Sequence, residues 1–289
     1  MVKIKKTKSI SGFHDQLIPF PNGIYIKPIR AGKLVARMAN SSADLDAVQA
    51  LRYRVFYEEL NARPDLETAQ MQRDCDSFDN FSDHLLVVDE SRTDVPGGVV
   101  GTYRFLLKHV AVSQQGFYSS TQYDIRKLLT FDGQIMELGR SCVDCKNRSK
   151  PTMQLLWRAI AQYVLSNDVR VLFGCASLPG SNPTALSKVL SYLYHFHLAP
   201  EEIRPTAVAN KYVEMNLIDP KYLNPRKVLS EIPPLIKGYL RLGGFIGNGA
   251  VVDEQFNTTD VCVVVMTERV TKRYLRHYER AADIKIGNK

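Results

Sequence analysis

The ten residues "IMELGRSCVD" at 135–144 decide the fold. They have the look of a strand that buries one face, yet they carry an acid and a base three residues apart. Glu137 and Arg140 lie among Ile135, Met136, Leu138 and Val143, where an ionised group is costly unless it is paired or used. In a regular strand, residues three apart point to opposite faces, so the two would not cooperate. Gly139 between them changes the expectation. A glycine inside a strand often marks a bulge, which shifts the parity and brings both side chains to one side. A bulged central strand also splays from its neighbour, opening a slot into which an extended ligand can insert. The alternative for the same two residues is a structural ion pair at the sheet end.

Directly after this strand comes "CKNRSKPT" (145–152), leading into an amphipathic helix. Pro151 suits the first helical turn, whose free N–H groups face any anion, and Arg148 and Lys150 add positive charge there. Strand, basic loop and helix start make a seat for a phosphate. The loop lacks the glycines of a nucleotide triphosphate loop, and those of "LGGFIGNGA" (242–250) fit turns better than a dinucleotide fingerprint.

Working outward, "KLVARMA" (33–39) reads as the first strand and "SSADLDAVQALRYRVFYEELN" (41–61) as a helix, with Ser41 or Ser42 as N-cap. Arg52 falls on the apolar stripe of that helix with Val48 and Phe56, either snorkelling to water or buried for a purpose. An acid-rich loop, "RDCDSFDNFSD" (73–83), follows. "HLLVVD" (84–89) and "GVVGTYRFLL" (98–107) read as a second and third strand, residues 121–130 as a short helix, and 135–144 as the fourth strand. A helix at 152–166, a fifth strand at 169–177 and a helix at 184–199 come next. A Pro-punctuated helical stretch runs to 243, then a strand pair at 249–257 and 260–266, and a basic closing helix at 268–280. Helices and strands interleave, with antiparallel hairpins at both ends, so the expected class is α/β (α+β), a mixed central sheet flanked by helices. The expected organisation is a basic leader over residues 1–30 and one domain over 31–289, with a helical insertion at about 182–243.

The 289 residues are 45% hydrophobic and 24% charged, an ordinary globular balance, and no apolar run approaches a membrane span. No apolar segment follows the N-terminal lysines, so no secretory signal is expected and the cytosol is the expected compartment. Five cysteines suit a reducing compartment, and the lone Cys142-x-x-Cys145 reads as two strand-end residues rather than metal ligands. A net charge of +8 favours an acidic partner: an acidic protein or an anionic membrane face. Nucleic acid is not expected, because no nucleic-acid-binding signature appears.

The chain resembles the GNAT superfamily and, within it, the bacterial N-acyltransferases that make lyso-ornithine lipid. The stretches that carry this are "LRYRVFYEEL" (51–60), "DSFDNFSDHLLVVD" (76–89), "MELGRSCV" (136–143), "LFGCASLPGSNP" (172–183) and "PPLIKGYLRLGGFIGNGAVVDEQFNTTDV" (233–261). A more distant likeness is to the acyl-homoserine-lactone synthases, where Arg52-x-x-x-Phe56, Asp76-x-x-Asp79, Arg104 and Glu137-x-x-Arg140 fall in matching order. The tryptophan those synthases tend to carry after the first helix is missing from "NARPD" (61–65).

The resemblance implies a GNAT-like sheet splayed between the fourth and fifth strands. It also implies transfer of a 3-hydroxyacyl group from acyl carrier protein to the α-amine of L-ornithine, with acyl-phosphopantetheine as donor and no resident cofactor or metal. The glycine-poor Arg148-Ser149-Lys150-Pro151-Thr152 departs from the usual GNAT phosphate loop. It fits a single phosphopantetheine phosphate better than coenzyme A. On this reading Glu137 is the base, held by Arg140 or Arg104, and Asp76 and Asp79 hold the ornithine side chain. Arg52, Phe56 and His84 join the substrate site, His84 being base or core histidine. Arg148, Ser149, Lys150, Thr152 and Arg158 meet the donor. The enzyme is expected in the cytoplasm, with its positive charge available to hold it peripherally on the inner membrane. The same fold acylating glutamine, lysine, glycine or a homoserine-type amine remains open, as does a non-catalytic, haemolysin-like membrane protein.

Overall fold

The computed structural model describes residues 26–270. Its centre is one mixed sheet. A short strand, β1 (Ile29–Ala31), precedes the expected first strand, β2 (Leu34–Met38). Ile26 is fully buried, so the core takes in the end of the stretch read as a leader. There follow β3 (Asp83–Asp89), β4 (Val99–Leu107), β5 (Gln134–Val143) and β6 (Val169–Pro179). The sheet is completed by β7 (Phe245–Ile246), β8 (Val251–Asp253) and β9 (Thr258–Met266). The order across the sheet is β1-β2-β3-β4-β5-β6-β9-β8, with β7 also on β9. Every neighbouring pair is antiparallel except β5–β6.

Ser41 caps α1 (Ser42–Tyr53), accepting a hydrogen bond from the Asp44 amide. The helix expected to run on to 61 changes character at Arg54 and becomes a π-helix over Arg54–Glu59. Such wide turns concentrate at functional sites, and Phe56 sits on this one. Helix α2 (Lys150–Ser166) is capped by Ser149 and is separated from the end of β5 by six residues. The stretch read as a helical insertion holds α3 (Ser187–His197), α4 (Pro225–Glu231) and α5 (Pro234–Arg241), joined by irregular chain and a two-residue pairing of Thr206–Ala207 with Tyr123–Asp124. Prolines at the first turn of α4 and α5 restart helices that the same ring would break mid-way. The closing helix expected at 268–280 lies outside the described residues beyond a short turn, Thr267–Arg269. Among the described residues, no helix is long and apolar enough to cross a membrane.

The sheet forks where the sequence placed the splay. Parallel pairing of β5 with β6 runs from Gln134–Val169 to Glu137–Phe173 and stops, although both strands continue. The bulge lies one residue later than Gly139. Thr102 faces Cys142 and Arg104 faces Gly139, so Arg140 and Ser141 together oppose Tyr103. Arg140 takes the left-handed conformation (φ 49°), a backbone strain typical of functional positions in a non-glycine residue. At the crotch of the fork, a side chain on Gly174 would put its Cβ 2.2 Å from the Leu138 carbonyl oxygen, so only glycine lets β6 pass that close.

Candidate active site

The fork opens into a cavity of about 260 Å³ walled by β5, β6, β9, the turn at Tyr118 and Ser119, and α5. Strand alternation and the cross-strand register sort its wall into two faces. Glu137, Gly139, Arg104, Cys175, Ser177, Thr258 and Asp260 share one, which is polar. Leu138, Leu172, Gly174, Val263 and Val265 share the other, with Leu235 and Tyr239 of α5 beside them, and it is apolar. The fork joins the two.

Glu137 is 5% exposed and lines the cavity. It pairs with neither Arg140 nor Arg104, which corrects the expectation. Its carboxylate accepts the backbone N–H groups of Tyr118 (3.0 Å) and Ser119 (2.6 Å). Burial raises its pKa, against those hydrogen bonds. A carboxylate raised by burial and facing a cavity is the environment a general base requires.

The arginines are committed elsewhere. Arg52, fully buried rather than snorkelling, bonds Asp74 (Nε–Oδ2, 2.7 Å) and Asp79 (Nη1–Oδ1, 2.9 Å; Nη2–Oδ2, 2.7 Å). Arg140 bonds the same Asp74 (3.2 Å) and Asp76 (2.9 Å). Arg104 Nη1 then closes the circuit on Asp76 and on Asp79 (2.8 Å). Three guanidiniums and three carboxylates thus alternate in a ring. Burial alone would raise Asp74 and Asp79, but the adjoining Arg52 charge overrides it and holds both below the usual carboxylate range. Asp79 also accepts from Gln49 at 3.0 Å. With Asp76 and Asp79 saturated by arginine, neither is free to hold a cationic substrate, contrary to expectation. Arg104 and Arg140 reach the cavity wall and lie against aromatic rings, Arg140 over Tyr118 (5.0 Å) and Phe256 (5.3 Å). Phe56 joins the wall and meets Phe256 edge-on.

His84 is buried behind the ring, its Nε2 at 3.2 Å from the Asp79 carbonyl, and burial pushes its pKa down to about 4. It is a neutral core histidine outside the cavity wall. The residues expected at the donor phosphate are not gathered into one cup. Ser149 and Lys150 are exposed at the start of α2, and Thr152 is buried, its hydroxyl 3.0 Å from that of Ser149. Arg148 is held by Glu59 (Nη2–Oε2, 2.8 Å), and Arg158 is half-buried further along α2. None of the five lines the cavity. Among the described residues, no group of three or more His, Cys, Asp or Glu side chains is arranged to hold a metal ion.

Sequence reasoning missed Asp74, the Tyr118–Ser119 amides, and two further acids in the wall, Asp253 and Asp260. Asp260 carried a legible signal, the one Glu137 gave: a charge inside an apolar strand, "TTDVCVVVM". Burial lifts its carboxyl to about 6. The groups that face it are Asp253, Arg140, Cys175, Tyr123 and the hydroxyls of Ser177 and Thr258. A carboxyl with a higher pKa folded than unfolded subtracts stability as pH rises from about 4 to about 6, and the full cost persists above. Two units correspond to about 3 kcal/mol. Urea melts of Asp260→Asn and the parent protein should therefore diverge in the variant's favour between pH 4 and pH 7 by up to that amount. A stability difference independent of pH would remove the burial argument.

A forked α/β sheet with a carboxylate at the crotch and a cavity through the gap can hold an acyl donor against an amine, the arrangement an acyltransferase needs. The acetyltransferase (GNAT) domain pattern matches residues 51–158. The chain is 44% identical over 257 residues to the L-ornithine N(alpha)-acyltransferase of Agrobacterium fabrum, covering 88% of each. The protein of the same name from Brucella abortus is 42% identical over 279 residues, covering 95% of this chain and 99% of that one. The one from Rhodobacter capsulatus is 39% identical over 248 residues, 86% of this chain and 95% of that one. The chain belongs to the family of L-ornithine N(alpha)-acyltransferases.

Proposed function

We propose that the protein moves a 3-hydroxyacyl group from the thioester of acyl carrier protein to the α-amine of L-ornithine, giving lyso-ornithine lipid. The observation that carries this reading is the fork itself. It sets an apolar face fit for an acyl arm against a polar face fit for an amino acid, and Glu137 stands where they meet.

The amine nitrogen attacks the thioester carbonyl, the carbon–sulfur bond breaks, and the amine proton leaves through Glu137, directly or by water, to the departing thiolate. An α-amine titrates near roughly pH 8, so at neutral pH about a tenth is already unprotonated and the proton accounts for only about 1.4 kcal/mol. Positioning and stabilisation of the developing oxyanion supply more. Beyond Glu137 and Phe173, the facing strand edges no longer pair with each other, which leaves backbone N–H groups beside the gap for that oxyanion. Arg140 and Arg104, fixed by the ring, are the cations at hand for the substrate carboxylate.

The phosphopantetheine phosphate is assigned to the start of α2, beside Ser149 and Lys150. The strongly acidic carrier protein is assigned to the basic surface around them. The same charge is available to hold the enzyme on an anionic membrane face, where an amphiphilic product has to go.

Purified protein given ornithine and 3-hydroxyacyl carrier protein should form an acylated, ninhydrin-positive lipid faster than with the matching acyl-coenzyme A. Its KM for carrier protein should rise with salt. No product from ornithine with either donor would sink the reading, and a coenzyme A preference would sink the donor assignment.

A further inference from the structure

In the ring and the cavity wall together, six carboxylates stand against three guanidiniums. The ring neutralises Asp74, Asp76 and Asp79, and Glu137 is served by two amides. Asp253 and Asp260 are left. They belong to one patch of the polar face: Asp253 lies opposite Thr258 across the β8–β9 hairpin, and Asp260, two residues on, lies opposite Ser177. Asp260 is 6% exposed, lines the cavity and accepts from neutral donors, the Thr258 hydroxyl at 3.0 Å and the Ser177 hydroxyl. Asp253 uses one oxygen on the Phe256 amide (3.0 Å). Neither has an ion pair among the described residues. Asp260 is deeply buried in the cavity wall with Asp253 beside it, and the one guanidinium facing Asp260, that of Arg140, is bonded to Asp74 and Asp76 instead.

We infer that Asp260, with Asp253 beside it, seats the distal ammonium of a diamino-acid acceptor, an inference that rests on the proposed function and names the residues that select its substrate. Phe173 pairs with Glu137 and Ser177 with Asp260, so the two carboxylates mark the ends of a five-residue stretch of β6, roughly 13 Å of strand. Cys175 lies midway, its thiol in the field of both. A substrate with an amine at each end meets an anion at each end of this path. A mono-amino acid leaves Asp260 and Asp253 uncovered. The ring explains why Asp76 and Asp79 cannot do this work. Their charge is already spent on arginine.

The test compares ornithine with norvaline, which has the same carbon chain without the distal amine, in the parent protein, Asp260→Asn and Asp253→Asn. Two quantities are measured for each pair: kcat/KM in the acyl-transfer assay, and Kd by calorimetry without donor. The ornithine-to-norvaline ratio should fall at least tenfold in Asp260→Asn and less in Asp253→Asn, whose half-exposed position at the hairpin end makes it the variant that tests the idea if Asp260→Asn folds poorly. A change of less than threefold in both variants overturns the inference; a larger one in either supports it. Were Asp260 a general base instead, both substrates would suffer alike and the ratio would hold, which also overturns it. A parent protein that binds ornithine over norvaline through Asp260 yet transfers nothing to it would sink the proposed function and leave this inference standing.

Discussion

Replacing Glu137 with Gln is expected to lower kcat about a hundredfold, at the low end of what a positioned general base contributes. The value is not larger because part of the amine is already neutral near pH 7. The substitution also has a structural cost that the chemistry of the change alone would not suggest. Both carboxylate oxygens accept backbone N–H groups, from Tyr118 and Ser119. A glutamine offers one oxygen and one NH₂, so one amide must face a donor and go unsatisfied, costing roughly 1–3 kcal/mol. In a chain of this size that corresponds to a fall in Tm of several degrees. Turnover and thermal unfolding are therefore to be measured on the same preparation at a temperature where the variant is fully folded. Activity within threefold of the parent under those conditions would remove Glu137 from the mechanism.

The largest effect on stability is expected at Arg52. Replacing it by Met leaves Asp74 and Asp79 buried without the guanidinium that bonds both, a situation worth roughly 3–5 kcal/mol. The sign of the pH dependence distinguishes this from simple loss of packing. Burial tends to raise Asp79, but Arg52 and its neighbours hold it well below the ordinary range. A depressed folded pKa contributes stability above the unfolded value near 4, and that stability drains away as the pH falls through the folded one. The deficit of Arg52→Met should accordingly be large at pH 7 and shrink toward pH 3. Adding Asp79→Asn should recover part of it at pH 7. A deficit that stays constant with pH, or a double variant no better than the single, would show that the ring is not what Arg52 holds together.

Much of the fold was legible because its signals are local. The Ser41 cap, the apolar runs of the central strands and the Pro151 helix start are written within a few residues of the elements they fix. The fork was legible only in part: an acid, a glycine and a base in a core strand suggested a bulge and a slot but equally a structural ion pair, and the resemblance pointed to the splay between the fourth and fifth strands. The boundaries were less so. The run from 41 to 61 carries one continuous apolar stripe, and nothing in it announces the change to π-helical bonding at Arg54. The stretch from 200 to 243 has helix-forming residues but breaks into pieces, because its backbone finds partners in distant chain, as when Thr206–Ala207 pairs with Tyr123–Asp124.

The site divides in the same way. By itself the sequence marked Glu137 and Arg140 as ionisable residues in apolar surroundings that had to be used or paired, with Asp260 carrying the same mark; it left Arg52 between snorkelling and burial, and Arg104 entered only with the family resemblance. It did not determine who pairs with whom. Asp74, Asp76 and Asp79 look like a solvated loop or a cation site until folding brings β4, β5 and α1 against them and three arginines claim them. Only the tertiary structure could decide this. An ion pair's energy depends on separation and on the water excluded around it, and both are fixed by chain segments up to 66 residues apart meeting in space, as Asp74 and Arg140 do. With the ring closed, Asp253 and Asp260 stand in the cavity wall without an ion pair among the described residues.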